Sequence, residues 1–375
     1  MSRTHCRAGR RARAFGPSLN ALEDRVALTG VVAFDPATST LTVTGDDAAN
    51  RISVTATKGN SAAIGKIVVV LDGQTTQYTS ADLKSVSISG GAGGDVIGFS
   101  FRGFRPGTIN VSGDAGPDTI GVAGGGTIFD FLNGSPTTTL AMSVTGDGGA
   151  DAASSGNDKI GVSLDGLTLQ NSNLAIRGDA GRDNLAVSLS AMNFGGGSQL
   201  SVLGGDGNDA AFVALNDDSV SGASLTLDGG SGGDSLAFAV GGLSVGSAGF
   251  NATVDGNAAG GADNDAIGVA LANLSLTSAS STKINILGRG GDDTIAYTQL
   301  YVRAAGNSTF NSSILSGDGN DAVTAVAILT LGPGQVALNL DGGFGTDSLN
   351  LVAPRAKTGG PLRLTISGFE TQRGS

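Results

Sequence analysis

Aspartate residues that end short glycine-rich segments are the side chains of this chain with the clearest capacity for chemistry. Gly204-Gly205-Asp206-Gly207-Asn208-Asp209 is one such segment, and similar segments recur roughly every 26 residues. Aspartate carboxylates beside glycine carbonyls offer only oxygen atoms, which are the ligands that Ca²⁺ prefers. The pattern therefore predicts a row of cation sites, one for each repeat.

The same segments are predicted to form tight turns between strands. Glycine takes positive φ without a steric clash, and Asn and Asp side chains bond to nearby main chain. In this copy the turn lies between Gln199-Leu200-Ser201-Val202-Leu203 and Ala211-Phe212-Val213-Ala214-Leu215. Both runs are short and apolar, as strands bounded by turn signals should be. The repeating unit is a strand, a Gly-Asp turn and a second strand.

Ten copies of the turn share a final aspartate, and most have an apolar residue two positions later. The final residues are Asp95, Asp118, Asp151, Asp183, Asp209, Asp234, Asp265, Asp293, Asp321 and Asp347. A second candidate turn, Gly156-Asn157-Asp158, follows Asp151, and Asn50 stands in a degenerate first copy. Because strand side chains alternate between faces, the apolar residue two positions after each aspartate is predicted to point inward, as at Ile295.

The repeat length indicates the fold. About 26 residues at roughly 3.3 Å each hold two or three strands plus turns, the perimeter of one coil of a parallel β-helix. We predict an all-β, right-handed parallel β-helix or β-solenoid of about ten coils, because stacked coils bury the apolar faces and no helical periodicity is present. Hairpin meanders, a sandwich or a propeller with irregular blades are the alternatives.

Four segments divide the chain. Residues 1–29 form a basic leader or targeting segment, 30–89 a β-rich N-terminal capping module, 90–352 the Gly-Asp solenoid, and 353–375 a C-terminal capping strand and tail. A capping module is expected because the first coil would otherwise present an open strand edge.

Composition argues against several classes of function. The 375 residues have a net charge of −11, and all but two of the 33 acidic residues are Asp. Such a chain repels nucleic acid and anionic membranes, so neither is expected as a partner. Cys6 and His5, the only Cys and His, lie in the leader, and the array therefore lacks zinc ligands of these types and His-dependent catalysis. No apolar run reaches the roughly 18 residues of a transmembrane span.

The consensus Gly-Gly-x-Gly-x-Asp-x-apolar resembles the calcium-binding nonapeptide of the repeats-in-toxin (hemolysin-type) family. This resemblance implies Ca²⁺ held by Asp side chains and Gly carbonyls of neighbouring coils. By position it assigns the ligand role to the ten final aspartates and, in the two best-matching copies, also to Asp206 and Asp318. Here the motif occurs once per coil, so the predicted ions lie along one edge only. In the competing interpretation each Asp caps its turn through main-chain hydrogen bonds and faces water.

The end of the basic leader resembles another family pattern. Leu22, Glu23, Arg25, Leu28 and Thr29 match the Leu-Glu-x-Arg-x-x-Leu-Ser/Thr motif found near the N terminus of planctomycete-type extracellular proteins. The resemblance implies an extracellular or cell-surface location.

Together these observations predict a secreted or cell-surface calcium-binding repeat protein with a non-catalytic structural or adhesive role. Extracellular matrix or cell-surface components are the expected partners besides calcium ions. One alternative is a metal-independent surface scaffold or adhesin. Another is a β-helix enzyme resembling polysaccharide lyases, but the absence of Trp leaves little aromatic platform for a sugar ring. The candidate bases for that enzyme are scattered in sequence: Arg102, Arg105, Arg177, Lys283 and Arg303.

Overall fold

The structure, a computed structural model, describes most of the chain after the leader. The described ranges are 30–59, 63–125, 139–147, 156–257, 261–277, 279–328, 330–352 and 362–374. The leader and Asp151 lie outside them. Every regular element within these ranges is a β-strand. No helix in the described ranges is long and apolar enough to cross a membrane.

The strands form two sheets. Sheet A contains, in spatial order, β1 (Val31–Asp35), β2 (Thr40–Thr44), β6 (Ser85–Ala92), β8 (Thr108–Ala115), β10 (Ala141–Thr145), β13 (Asn173–Ala180), β16 (Gln199–Asp206), β18 (Ala223–Ser231), β20 (Phe250–Asp255), β22 (Ser281–Gly290), β24 (Thr309–Asp318), β27 (Gln335–Phe344) and β29 (Leu362–Ser367).

Sheet B faces sheet A across the core. It contains, in spatial order, β5 (Gln74–Ser80), β4 (Gly65–Leu71), β3 (Arg51–Thr57), β7 (Val96–Arg102), β9 (Thr119–Gly125), β11 (Lys159–Asp165), β14 (Asn184–Ser190), β17 (Ala210–Ser221), β19 (Ser235–Val245), β21 (Ala266–Leu276), β23 (Thr294–Ala304), β25 (Ala322–Ala327), β28 (Ser348–Val352) and β30 (Thr371–Gly374). Three short strands pair alongside: β12 (Thr168–Gln170), β15 (Asn193–Gly195) and β26 (Thr330–Leu331).

Each coil runs from a strand of sheet A through a Gly-Asp turn to a strand of sheet B and then back to sheet A. Strands of successive coils pair in parallel and in register, so that Leu200 of β16 lies beside Leu225 of β18, and Leu185 of β14 beside Ala211 of β17. About ten coils stack in this way. The prediction of an all-β parallel solenoid is confirmed, and the sandwich and propeller alternatives do not describe this topology.

Antiparallel pairing among the described strands is confined to the N-terminal module. β1 pairs antiparallel with β2, while β3, β4 and β5 form an antiparallel meander. β2 and β3 then pair in parallel with β6 and β7, so the module continues both sheets of the array. The antiparallel strands cover the first parallel edge of each sheet, which would otherwise expose a row of unpaired main-chain groups.

The core lies between the two sheets and is built mainly by the alternation of buried and outward side chains along the strands. In β14 the side chains of Leu185, Val187 and Leu189 are buried, whereas the intervening side chains point outward. The predicted inward residues after the turns are all at most 2% exposed: Ile97, Ile120, Leu185, Leu236, Ile267, Ile295, Val323 and Leu349. Each such burial contributes about 1.5–3 kcal/mol of transfer free energy, so the alternation of side chains accounts for the stacking of coils.

Candidate functional site: the aspartate ladder

The final aspartates of the turns form a continuous hydrogen-bonded column along one edge of the solenoid, which we call the aspartate ladder. Asp209 is typical: it lies between the end of β16 and the start of β17. Its Oδ1 atom accepts a hydrogen bond from the backbone N–H of Asp183, one coil earlier, at 2.7 Å. Its own N–H donates to Oδ1 of Asp234, one coil later, at 2.7 Å. Each side chain therefore joins two coils.

The same bond repeats along the described array at donor–acceptor distances of 2.6 to 2.8 Å. The ladder positions are Asn50, Asp95, Asp118, Asp158, Asp183, Asp209, Asp234, Asp265, Asp293, Asp321, Asp347 and Glu370. The aspartates among them are at most 3% exposed. The turn-capping interpretation is right about main-chain hydrogen bonds, but it placed these side chains in water, and they are buried.

Two of the predicted ligand residues, Asp206 and Asp318, do not occupy ladder positions. The position between Asp118 and Asp183 is filled by Asp158, from the second candidate turn, while Asp151 lies outside the described residues. Asp206 and Asp318 lie on the exposed outer side of their turns, and the Asp206 carboxylate accepts a hydrogen bond from the Ser231 hydroxyl. The structure therefore brings together the final aspartates but leaves the earlier ones apart.

The second carboxyl oxygen, Oδ2, is buried and has no hydrogen-bond partner in any ladder aspartate. Its surroundings explain this. A Cβ atom at Gly204 would lie 2.5 Å from Asp209 Oδ2 and closer still to the carbonyl oxygen of Gly229 in the next coil. Two acceptor oxygens thus converge on the Cα atom of a turn glycine, and no donor reaches the carboxyl oxygen. A buried acceptor without a donor is costly unless a proton or a cation joins it.

Glycine is required at this point of the turn because the carboxyl oxygen occupies the space of a side chain. The same crowding by a ladder carboxyl recurs at Gly90, Gly113, Gly146, Gly178, Gly204, Gly229, Gly256, Gly288 and Gly342. Ser316 is the exception, and its hydroxyl donates a hydrogen bond to the Gly342 carbonyl at 2.8 Å. A side chain is therefore tolerated at this column where it supplies a donor for the neighbouring carbonyl.

Burial raises the pKa of the ladder carboxyls. For Asp118, Asp158, Asp234 and Asp293 the pKa rises to about 7, and for Asp183 and Asp265 to about 6. Desolvation is the largest cause in each case, and the backbone N–H from the preceding coil opposes it. Neighbouring acids add a smaller upward shift. At neutral pH these positions hold the charged form only at a free-energy cost, which a bound cation would offset.

A second, outer ladder runs beside the first and was not predicted. It uses the residue just before the final aspartate. Asn264 Oδ1 accepts the N–H of Asp292 in the next coil at 2.7 Å, and the Asp292 carboxylate accepts the N–H of Asn320 at 2.7 Å. Asn157 and Asn208 make the same kind of bond. The sequence signal was the frequent Asn or Asp at this position. These side chains satisfy main-chain donors at the outer edge of the turns.

Asp218 is another buried acid that sequence analysis missed. It lies where β17 bends, on a different corner of the coil, and its Oδ1 accepts the N–H of Met192 at 2.7 Å. Its Oδ2 has no partner, and burial raises its pKa to about 6. The run Asn216-Asp217-Asp218 was the available signal. A single Asp of this kind repeats the ladder contact at one coil without forming a column.

A groove of about 1060 Å³ opens on the outer face of sheet A. It is lined by Asp114, Asp147, Asp179 and Asp206 together with Arg177. The amides of Asn110 and Asn173 also line it. Arg177 lowers the pKa of Asp179 against a larger upward effect of burial. This is the one predicted base that the structure places in a groove with several acids.

The other candidate bases are dispersed over the solenoid. Arg102 lines a shallower groove of about 450 Å³ with Asp165 on sheet B. Lys283 lies on β22 of sheet A, and Arg303 lies near the end of β23 of sheet B. They share no site with Arg177.

The oxygen atoms of the ladder and its turns are of the type that a hard cation binds. Each interval between coils offers carboxyl oxygens from the ladder and glycine carbonyl oxygens from the turns, all of them acceptors. Ca²⁺ binds six to eight such oxygens in flexible geometry. In the described part of the chain no three His, Cys, Asp or Glu side chains converge as a ligand group, so main-chain carbonyls would have to complete any such site.

The fold and the site together define a class: a parallel β-solenoid whose coils are joined along one edge by a buried aspartate ladder. No protein-family model matches the chain, and the searches of curated proteins and of solved structures found no match either.

Proposed function

We propose that the protein is a non-catalytic, secreted or cell-surface solenoid that binds Ca²⁺ along its aspartate ladder and serves a structural or adhesive role. One observation carries the calcium part: ten buried Oδ2 atoms in a column, each without a donor. Asp95, Asp118, Asp158, Asp183, Asp209, Asp234, Asp265, Asp293, Asp321 and Asp347 would hold the ions with turn carbonyls. The Leu22 to Thr29 motif supports export.

Electrostatics supply the reason for a cation. Adjacent coils place ladder carboxylates about 4.8 Å apart, where two unit charges repel by roughly 3.5 kcal/mol at an effective dielectric of 20. Bound Ca²⁺ would replace this repulsion by attraction. Because the sites exist only when coils are stacked, the binding free energy would add to the stability of the fold. The ion has a structural role in this proposal.

Calorimetric titration of the full chain with Ca²⁺, followed by melting in chelator, Ca²⁺ and Mg²⁺, tests the proposal. Ca²⁺ should raise the melting temperature strongly and Mg²⁺ only slightly, since Mg²⁺ requires a tight octahedron and gives up its water ligands reluctantly. Asp209→Asn should remove part of the calcium effect while keeping a side chain that can bond to the Asp183 N–H. Asp206→Asn is the matched control, because Asp206 is exposed in the same turn.

Equal melting curves in chelator and Ca²⁺, with no heat of binding, would replace this proposal by the metal-independent scaffold. In that case the ladder carboxyls act as turn caps, and the pKa values of Asp118 and Asp158, raised by burial to about 7, allow an uncharged form at neutral pH. A calcium effect that Asp206→Asn abolishes and Asp209→Asn leaves intact would place the ions on the outer side of the turns.

The groove around Arg177 supports a second candidate function, cleavage of an acidic polysaccharide by a lyase-like mechanism. In such a site the Arg177 guanidinium would pair with the carboxylate of the uronate, and Asp147 or Asp179 would take the proton from the adjacent carbon as the bond to the leaving sugar oxygen breaks. Incubation with uronate polysaccharides and ultraviolet detection of unsaturated products tests it. Activity lost in Arg177→Gln and kept in Arg303→Gln would establish it, and absence of products would leave the non-catalytic proposal.

A further inference from the structure

The outer face of sheet B is uncharged over much of the array, although the chain carries a net charge of −11. The first parts of seven adjacent strands contain no Asp, Glu, Lys or Arg: residues 184–190, 210–216, 235–241, 266–272, 294–300, 322–326 and 348–352. Outward positions there are mostly Ala, Gly, Ser and Thr. A flat sheet face without charges lacks the usual protection against pairing with another surface.

One aromatic side chain stands out from this face. Phe212 is 43% exposed, whereas its neighbours in the same row across the sheet are Ala186 on one side and Ala237 on the other. An exposed ring surrounded by methyl groups exposes a large apolar area to water for no benefit within the monomer. The free-energy cost of this exposure would be removed if another molecule covered the Phe212 ring.

The same row offers a place to receive the ring. Gly268 follows Ala237 in the row, and a Cβ atom there would meet no heavy atom closer than 3.8 Å. The surface of this row therefore protrudes at Phe212 and is recessed at Gly268, two strands away. Ala237 lies midway between them. A twofold axis parallel to β19, lying above Ala237 in the plane between two facing sheets, would place each Phe212 over Gly268 of the second copy.

We infer that a second copy of this chain covers the face, in an isologous dimer with Phe212 seated on Gly268 across the axis. The covered area, symmetric about β19, extends from β11 to β25 and includes six of the seven uncharged strands; it spans roughly 34 Å by 20 Å at strand spacing. This buries roughly 700 Å² on each copy and about 1,400 Å² in total, inside the range of stable specific interfaces. Lys159 and Asp165 on β11 lie at the rim, where charged groups are tolerated.

The dimer is independent of the proposed calcium role, because the ladder side chains are buried at the turn before sheet B, whereas the face is formed by the outward side chains of sheet B. Analytical ultracentrifugation of the full chain over a micromolar concentration series, with and without Ca²⁺, should show dimers in both buffers. Phe212→Glu and Gly268→Glu should each raise the dissociation constant at least about a hundredfold, because an unpaired charge would be buried against the other copy.

Two control variants introduce the same Glu side chain at positions outside the proposed interface. Gly98→Glu lies in the same row with an equally open position, but on β7 outside the covered strands, and Thr226→Glu lies on sheet A. Both should leave the dimer intact. Circular dichroism and melting establish that each variant is folded. Phe212→Ser, which adds no charge, should weaken association in the same direction.

A short bismaleimide cross-linker locates the axis. In a Cys6→Ser background, Ala237→Cys should cross-link to its counterpart with high yield, and Gly98→Cys should not. A wild-type chain that stays monomeric at the highest soluble concentration overturns the proposal and leaves the face to a partner of another sequence. A dimer that Phe212→Glu and Gly268→Glu leave unchanged overturns it equally.

Discussion

Replacing Gly204 by alanine tests whether the ladder carboxyl, and not turn conformation, dictates the glycines at this column. Gly204 does not need positive φ, so alanine fits its backbone conformation. The added Cβ atom, however, would lie 2.5 Å from Asp209 Oδ2 and even nearer to the Gly229 carbonyl oxygen. Either the carboxyl group or the next coil must move.

The magnitude follows from these contacts. Overpacking a close-packed site costs about 1–3 kcal/mol. Displacing the Asp209 carboxyl also weakens its 2.7 Å bond from the Asp183 N–H, which costs roughly another 1 kcal/mol. Alanine also lowers the conformational entropy of the unfolded chain relative to glycine, which stabilises the fold by about 0.4–1 kcal/mol. The net destabilisation should be about 2–3 kcal/mol.

Gly121→Ala is the matched control, because a Cβ atom at Gly121 meets nothing within 4 Å and the position lies on the outer face of β9. It should be neutral or stabilise the fold by a few tenths of a kcal/mol. Urea denaturation of both variants gives the comparison, and hydrogen exchange at the Asp183 amide should accelerate only in Gly204→Ala. Equal stability of the two variants would show that the carboxyl group yields freely and that the ladder does not constrain the turn.

Two further perturbations probe the core and the ladder. Ile295→Asp should destabilise the array by about 4 kcal/mol or more in urea denaturation, since it buries an unpaired charge, whereas Thr294→Asp on the outer face should change stability by about 0.5 kcal/mol or less; similar losses would contradict the register. The pKa values of Asp118 and Asp158, raised to about 7 from 3.8, mean that the folded chain binds protons more tightly than the unfolded chain. In chelator, stability should therefore be greatest near pH 4 and fall as the pH rises through 7, and a urea midpoint that rises over this interval would refute the assignment.

Local sequence was sufficient for the strands, the turns and the stacking direction. Apolar residues at every second position and glycine-rich turns are signals that extend over only a few residues. Ile295 could therefore be placed in the core and Asp209 at the end of a turn without coordinates. The recurrence of one unit in one direction then favoured parallel coils, because equal units bury their faces best by stacking.

The chemical state of the aspartates was decided by tertiary structure. Sequence alone left each carboxyl as a ligand or as a turn cap in water, because its burial depends on the coils before and after it, 23 to 40 residues away. For the same reason, local sequence could not show that Asp158 occupies the ladder position after Asp118, or that Asp218 is buried. The uncharged face around Phe212 likewise exists only once seven separate segments align, since no single strand contains more than a few of its residues.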